Sequence, residues 1–115
     1  MWHRLGMAGK RPRQRARTAR RELARAAEKL REQRERLFLL EAGGTPERPL
    51  EVESVAVIEV KAASIPCPAC GGRLRVQSHE APTIGGVRLR EVRARCTTCG
   101  AERSIWFRLV PPQLH

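Results

Sequence analysis

Two short segments decide the fold, Cys67-Pro68-Ala69-Cys70-Gly71-Gly72 and Cys96-Thr97-Thr98-Cys99-Gly100. Between Cys70 and Cys96 lie 25 residues. In each segment two residues separate a pair of cysteines, and a glycine follows the second cysteine directly. Two such cysteines can point at one metal ion only if the backbone turns tightly between them. The glycine permits the positive φ and the sulfur-directed amides that such a turn needs. Four thiolates complete a tetrahedral zinc site, so the pattern predicts one structural zinc bound by Cys67, Cys70, Cys96 and Cys99.

Three alternatives to zinc are open at this point. Rubredoxin-like iron also uses two cysteine pairs, but the aromatic cluster of those proteins is missing from a chain with 3% aromatic residues. A dithiol redox centre would need one low-pKa pair, whereas two equivalent pairs favour a metal. Disulfides require export, and no signal peptide is evident. With four cysteines as ligands, His3, His79 and His115 are expected at the surface.

The motif Cys-Pro-x-Cys-Gly, followed by Cys-x-x-Cys-Gly, resembles the zinc ribbon family, and the resemblance covers Cys67 to Val110. It implies two knuckles that clamp one zinc ion beneath a three-stranded sheet. Zinc ribbons (one kind of zinc finger) occur in transcription factors, polymerase subunits, ribosomal proteins, enzymes and adaptors, so the resemblance implies no single activity. The chain also looks like small bacterial zinc ribbon proteins that carry a basic helical extension.

The segment Arg13 to Ala42 predicts one long helix, because it lacks glycine and proline and is rich in strong helix formers. Pro12 precedes it and Gly43-Gly44 follows it, which are start and stop signals. A heptad pattern runs along this helix, and we call its members the α1 stripe: Ala16, Ala19, Leu23, Ala26, Leu30, Gln33, Leu37 and Leu40. Two interpretations are open, a helix docked on its own domain and a coiled-coil dimer.

Alternation of apolar and polar residues predicts four strands after this helix. The first is an edge strand over 50–62, for which a break near Ser54 is left open. The others are a strand around Leu74 and Val76, a strand over 87–95 with a bulge near Arg90-Glu91, and a strand over 103–110. Pro82 and Gly85-Gly86 mark a turn. The predicted fold is α+β, a long basic N-terminal helix followed by a small antiparallel zinc ribbon of three strands plus the edge strand. The predicted divisions are a basic arm and helix (1–44), a linker and edge strand (45–66) and the ribbon (67–115).

The net charge of +11 is unevenly distributed along the 115 residues. Residues 1–36 carry 13 Lys or Arg against 4 Glu, residues 37–66 carry 2 against 5, and residues 67–110 carry 8 against 3. Such segregation favours contact with phosphates. The candidate nucleic-acid-binding residues are Lys10, Arg11, Arg13, Arg15, Arg17, Arg20, Arg21, Arg75, Arg88 and Arg90. Arg73, Arg95 and Arg103 are expected instead to offset the charge of the thiolates.

These features predict a non-enzymatic, zinc-stabilised binding protein that contacts DNA or RNA. The alternative is a protein–protein interaction module, in which the heptad helix forms a homodimer or docks a partner and the ribbon is a rigid surface. No catalytic constellation is evident, because Asp is absent and four thiolates would leave zinc no open position. We expect a cytoplasmic protein, since no segment reads as a signal peptide or a membrane span.

Overall fold

The N-terminal helix α1 spans Trp2–Leu40 in the computed structural model, which describes the backbone of residues 2–112 and the side chains of residues 15–112. The predicted helix is confirmed, but it begins upstream of Pro12 rather than after it. Proline removes one backbone hydrogen bond, yet its fixed φ is compatible with a helix. From Arg15 onward every α1 side chain is exposed except Glu35 and Phe38, which are half-buried.

Six strands follow α1: β1 Leu50–Val52, β2 Leu74–Glu80, β3 Thr83–Ile84, β4 Val87–Arg88, β5 Arg90–Cys96 and β6 Glu102–Leu109. Four of them form one sheet in the order β1-β6-β5-β2. The antiparallel pairing of β2, β5 and β6 confirms the three predicted strands. The edge strand β1 is parallel to β6, with Leu50 opposite Phe107, so the sheet is mixed. No hairpin links β1 to β6, so no tight turn forces these two strands to be antiparallel. The α+β class is confirmed.

The edge strand was predicted over 50–62, but it ends at Val52. A 3-10 turn over Val55–Val57 and the helix α2 over Ile58–Ser64 replace its second half. Ile58 and Ala62 are fully buried, and residues four apart share a face in a helix as well as in a strand. Val60 distinguishes a strand from a helix here. A strand would bury Val60 on the same face as Ile58 and Ala62, but Val60 is 73% exposed.

The predicted third strand over 87–95 is interrupted at Leu89, which is buried and donates its N–H to the Pro82 carbonyl at 2.8 Å. Upstream of it, β3 and β4 pair as a separate hairpin around the predicted glycine turn. The bulge expected near Arg90-Glu91 is wrong in position. The irregularity of the ladder lies in β2, between Val76 and Ser78, where one additional residue is accommodated.

One core joins the sheet, α2 and both cysteine segments. Its largest fully buried side chains are Phe107, Ile58, Leu74, Ile105 and Val92. Phe38, near the end of α1, packs against this cluster. The chain divides into two compact units, Met1–Glu32 and Gln33–His115, and this core belongs to the second. The three-part division predicted from the sequence stays a prediction.

Candidate metal centre

The two cysteine segments form knuckles of the same shape, which we call the first knuckle (67–72) and the second knuckle (96–101). In the first, the Gly71 amide donates to the Cys67 carbonyl at 2.7 Å, and the Cys67 amide donates to the Gly72 carbonyl at 2.9 Å. The second repeats both hydrogen bonds at the equivalent positions, at 3.0 and 2.9 Å. Gly71 and Gly100 both have φ of 77°, which confirms the turn predicted from the glycine after each pair.

The four cysteine sulfurs converge on one point, with all Sγ atoms within 4.8 Å of one another. Across the knuckles, Cys67 Sγ lies 3.7 Å from Cys99 Sγ, and Cys70 Sγ lies 3.4 Å from Cys96 Sγ. Sulfurs bound at about 2.3 Å to a tetrahedral ion are separated by about 3.8 Å, whereas a disulfide holds them at about 2 Å. These distances fit four ligands of one metal ion.

Backbone amides make the second knuckle ready for a thiolate. The amides of Cys99 and Thr98 approach Cys96 Sγ at 3.5 and 3.4 Å, and they lower the pKa of the Cys96 thiol to about 6. At Cys70 the Gly72 amide also lowers the pKa, but the shared hydrogen bond with Cys96, burial and the other two thiols outweigh it. The pKa of Cys70 is about 11 as a result. Of these two thiols, Cys96 therefore loses its proton more readily than Cys70.

The two knuckles are in close contact with each other. The Thr97 amide and hydroxyl both donate to the Arg73 carbonyl, at 2.9 and 3.1 Å. A Cβ at Gly72 would lie 2.7 Å from the Thr98 hydroxyl and 2.9 Å from Cys96 Sγ, so only glycine fits there. The sequence did not reveal this role, because the close approach depends on how the knuckles face each other.

Arg103 joins the metal centre to the last turns of α1. Its guanidinium donates to both carboxylate oxygens of Glu35, 68 residues away, with Nη1 at 2.6 Å from Oε2. This pairing raises the pKa of Arg103, and the nearby Cys67 thiol adds to the effect. Arg103 was expected only to offset thiolate charge; its main partner is instead Glu35, which no sequence signal indicated.

The predicted nucleic-acid contacts fall on several elements. Arg15, Arg17, Arg20 and Arg21 are exposed on α1, Arg75 is exposed on β2, and Arg88 is exposed on β4. Arg90 is half-buried, so it is the least available of the candidates whose side chains the structure describes. The side chains of Lys10, Arg11 and Arg13 lie outside the described residues.

The outer face of the sheet adds arginines that the sequence did not group together. Arg95 lies directly opposite Arg75, and both are exposed, while Arg93 occupies the same face one pair further along. Trp106 lies there too and is half-buried, opposite Glu91, which pairs with Arg93 at 3.5 Å. Strand alternation could have predicted this grouping once the register was known.

His79 differs from its predicted exposed position. Its side chain is only 13% exposed, its Nδ1 lies 3.4 Å from Glu59 of α2, and its Nε2 is buried without a hydrogen-bond partner. The packing of α2 on β2 covers the ring, which a prediction without α2 could not anticipate. His3 and His115 lie outside the described side chains.

Comparison with protein-family profiles, with curated proteins and with solved structures found no match for this chain. Among the described residues, no helix combines the length and apolar character that crossing a membrane requires. The geometry therefore defines an α+β chain with a four-cysteine cluster positioned to bind a metal ion.

Proposed function

We propose that this chain is a non-enzymatic binding protein of the zinc ribbon type, stabilised by one zinc ion and contacting nucleic acid through its arginine-rich helix and basic ribbon face. The convergence of four sulfurs within 4.8 Å carries the metal part of the proposal. Zinc suits this site because it accepts four thiolates in a closed tetrahedron, which contributes folding energy and leaves no open position for catalysis.

Metal analysis of the purified chain tests the structural role. We expect one zinc per 13.0 kDa chain and loss of both metal and folded sheet in Cys67→Ser. Thr98→Ala, a non-ligand change in the second knuckle, is the matched control and should keep its zinc. Iron in place of zinc, or a native NMR spectrum for Cys67→Ser, would contradict the structural-zinc proposal.

The nucleic-acid part is supported by exposed arginines with few acidic neighbours. Residues 15–21 carry four arginines and no acidic residue, and all four side chains are exposed. Arg75 and Arg95 supply a second pair of cations on the sheet. Arginine contacts of this kind bind phosphates by releasing counterions and carry no sequence preference by themselves.

A salt-titrated binding assay with short DNA and RNA tests this contact. If the four arginines of 15–21 each contact a phosphate, the slope of log K against log salt should be about −3 to −4. Replacing these four by alanine should remove most of the affinity. The control replaces Arg25, Arg31, Arg34 and Arg36, which interleave with glutamates on the same helix. Equal losses in the two variants, or no binding at low salt, would contradict the proposed contact.

A second candidate function, the protein–protein interaction module, is favoured by one observation. Every member of the α1 stripe is exposed, its leucines included. A partner bound to this surface would cover the exposed leucines and so account for the heptad pattern.

A further inference from the structure

The α1 stripe occupies a different side of the helix from the contacts with the core. Leu23, Leu37 and Leu40 are 70%, 57% and 62% exposed. Glu35 and Phe38, the half-buried residues of α1, lie more than about 90° around the helix from the centre of the stripe. Leu37 also borders a cleft beside the first knuckle, yet every member of the stripe is exposed.

We propose that two copies of this chain associate through the α1 stripe as an antiparallel coiled coil, an inference that rests on the interaction-module function. In this direction the stripe pairs with itself as Ala16 with Leu40, Ala19 with Leu37, Leu23 with Gln33, and Ala26 with Leu30 of the second copy.

Side-chain size favours this direction. Every leucine then faces an alanine or a glutamine, so the layers along the seam have similar widths. In a parallel, in-register pair, Ala16, Ala19 and Ala26 would each face their own copy. Such layers leave gaps beside the wide leucine layers, and gaps forfeit packing contacts.

Charge favours the same direction. Residues 15–21 carry four arginines, and a parallel pair would place them beside the same four of the second copy. In the antiparallel pair they lie beside residues 35–41, which hold a single arginine, Arg36, and Glu41; Glu35 in this segment lies on the other side of the helix and pairs with Arg103. At the edge of the seam, Arg20 of one copy still lies near Arg34 of the other, and these two like charges repel. Salt screens this repulsion, so association should strengthen with salt, whereas nucleic-acid binding should weaken.

The first test measures the mass of the zinc-loaded full chain in 0.5 M salt without nucleic acid. We expect twice the 13.0 kDa chain mass. Leu30→Glu should raise the dissociation constant at least about tenfold, because it places a charge in an apolar seam. Leu39→Glu is the matched control: Leu39 is 53% exposed but lies off the stripe, and this variant should stay dimeric. Zinc content and helical circular dichroism verify that both variants fold.

A monomeric wild-type chain at high concentration, or equal masses for the two variants, would overturn the pairing. Disulfide cross-linking of zinc-loaded protein then tests direction. A mixture of Ala19→Cys and Leu37→Cys chains should form a mixed disulfide, and Ala19→Cys alone should not. Efficient cross-linking of Ala19→Cys alone would overturn the antiparallel arrangement but would still support an interaction module that pairs through α1. Nucleic-acid binding at low salt is measured in a separate assay, so its outcome does not affect this test.

Discussion

The ion pair between Glu35 and Arg103 links the last turns of α1 to β6. Glu35→Gln and Arg103→Met each remove one of its two charges, and the structure predicts unequal costs for them. The Arg103 side chain is 12% exposed, whereas that of Glu35 is 37% exposed. Breaking a buried pair costs about 3–5 kcal/mol, and an exposed pair contributes about 0–1 kcal/mol. Glu35→Gln leaves the more buried charge without its main partner and with only the Cys67 sulfur nearby, so we expect a loss of about 2 kcal/mol. Arg103→Met leaves a carboxylate that can reach water, and about 1 kcal/mol is expected.

Urea unfolding of the zinc-loaded chain, followed by circular dichroism, measures both free energies of unfolding. Glu51→Gln is the control, since it removes the carboxylate from the Arg108–Glu51 pair at 3.3 Å, in which the two side chains are 44% and 58% exposed; its effect should stay within about 0.5 kcal/mol. If Arg103→Met costs as much as Glu35→Gln, or Glu35→Gln matches the control, then burial of the guanidinium does not set the energy and the reasoning fails.

Gly72→Ala should weaken zinc affinity and lower stability by about 1–3 kcal/mol, because its Cβ would meet Thr98 and Cys96 at under 3 Å; a chelator titration that matches wild type would refute the close approach. Acid should release the metal: zinc binding displaces thiol protons, so protonation favours the metal-free state and apparent affinity falls as pH falls. The proton on Cys70, with a pKa of about 11, alone predicts a loss of about tenfold per unit between pH 8 and 6, and Cys96 adds a further loss only below about pH 6. Competition with a chelator at pH 6, 7 and 8 checks this, and a flat profile would contradict it. Phe107→Leu, at a fully buried core position, should cost about 1–2 kcal/mol with zinc still bound, as judged by urea unfolding and metal content; loss of zinc instead would mean that the knuckles depend on the core more than their local bonds indicate.

Where chemistry is local, the sequence alone was sufficient. The knuckles depend on two residues between cysteines and a glycine after them, and their hydrogen bonds close within six residues, so spacing predicted the clustering of the four cysteines and both glycine turns. The helix α1 and the Gly85-Gly86 hairpin followed from composition and turn chemistry for the same reason.

Other features were decided only by tertiary packing. Alternation over 50–62 fits a strand and a helix equally at Ile58 and Ala62, and packing against β2 and β5 selects α2. The parallel direction of β1, the burial of His79 and the Glu35–Arg103 pair all join residues that are distant in sequence. A pattern within one segment carries no information about such partners, because their energies exist only once the segments meet.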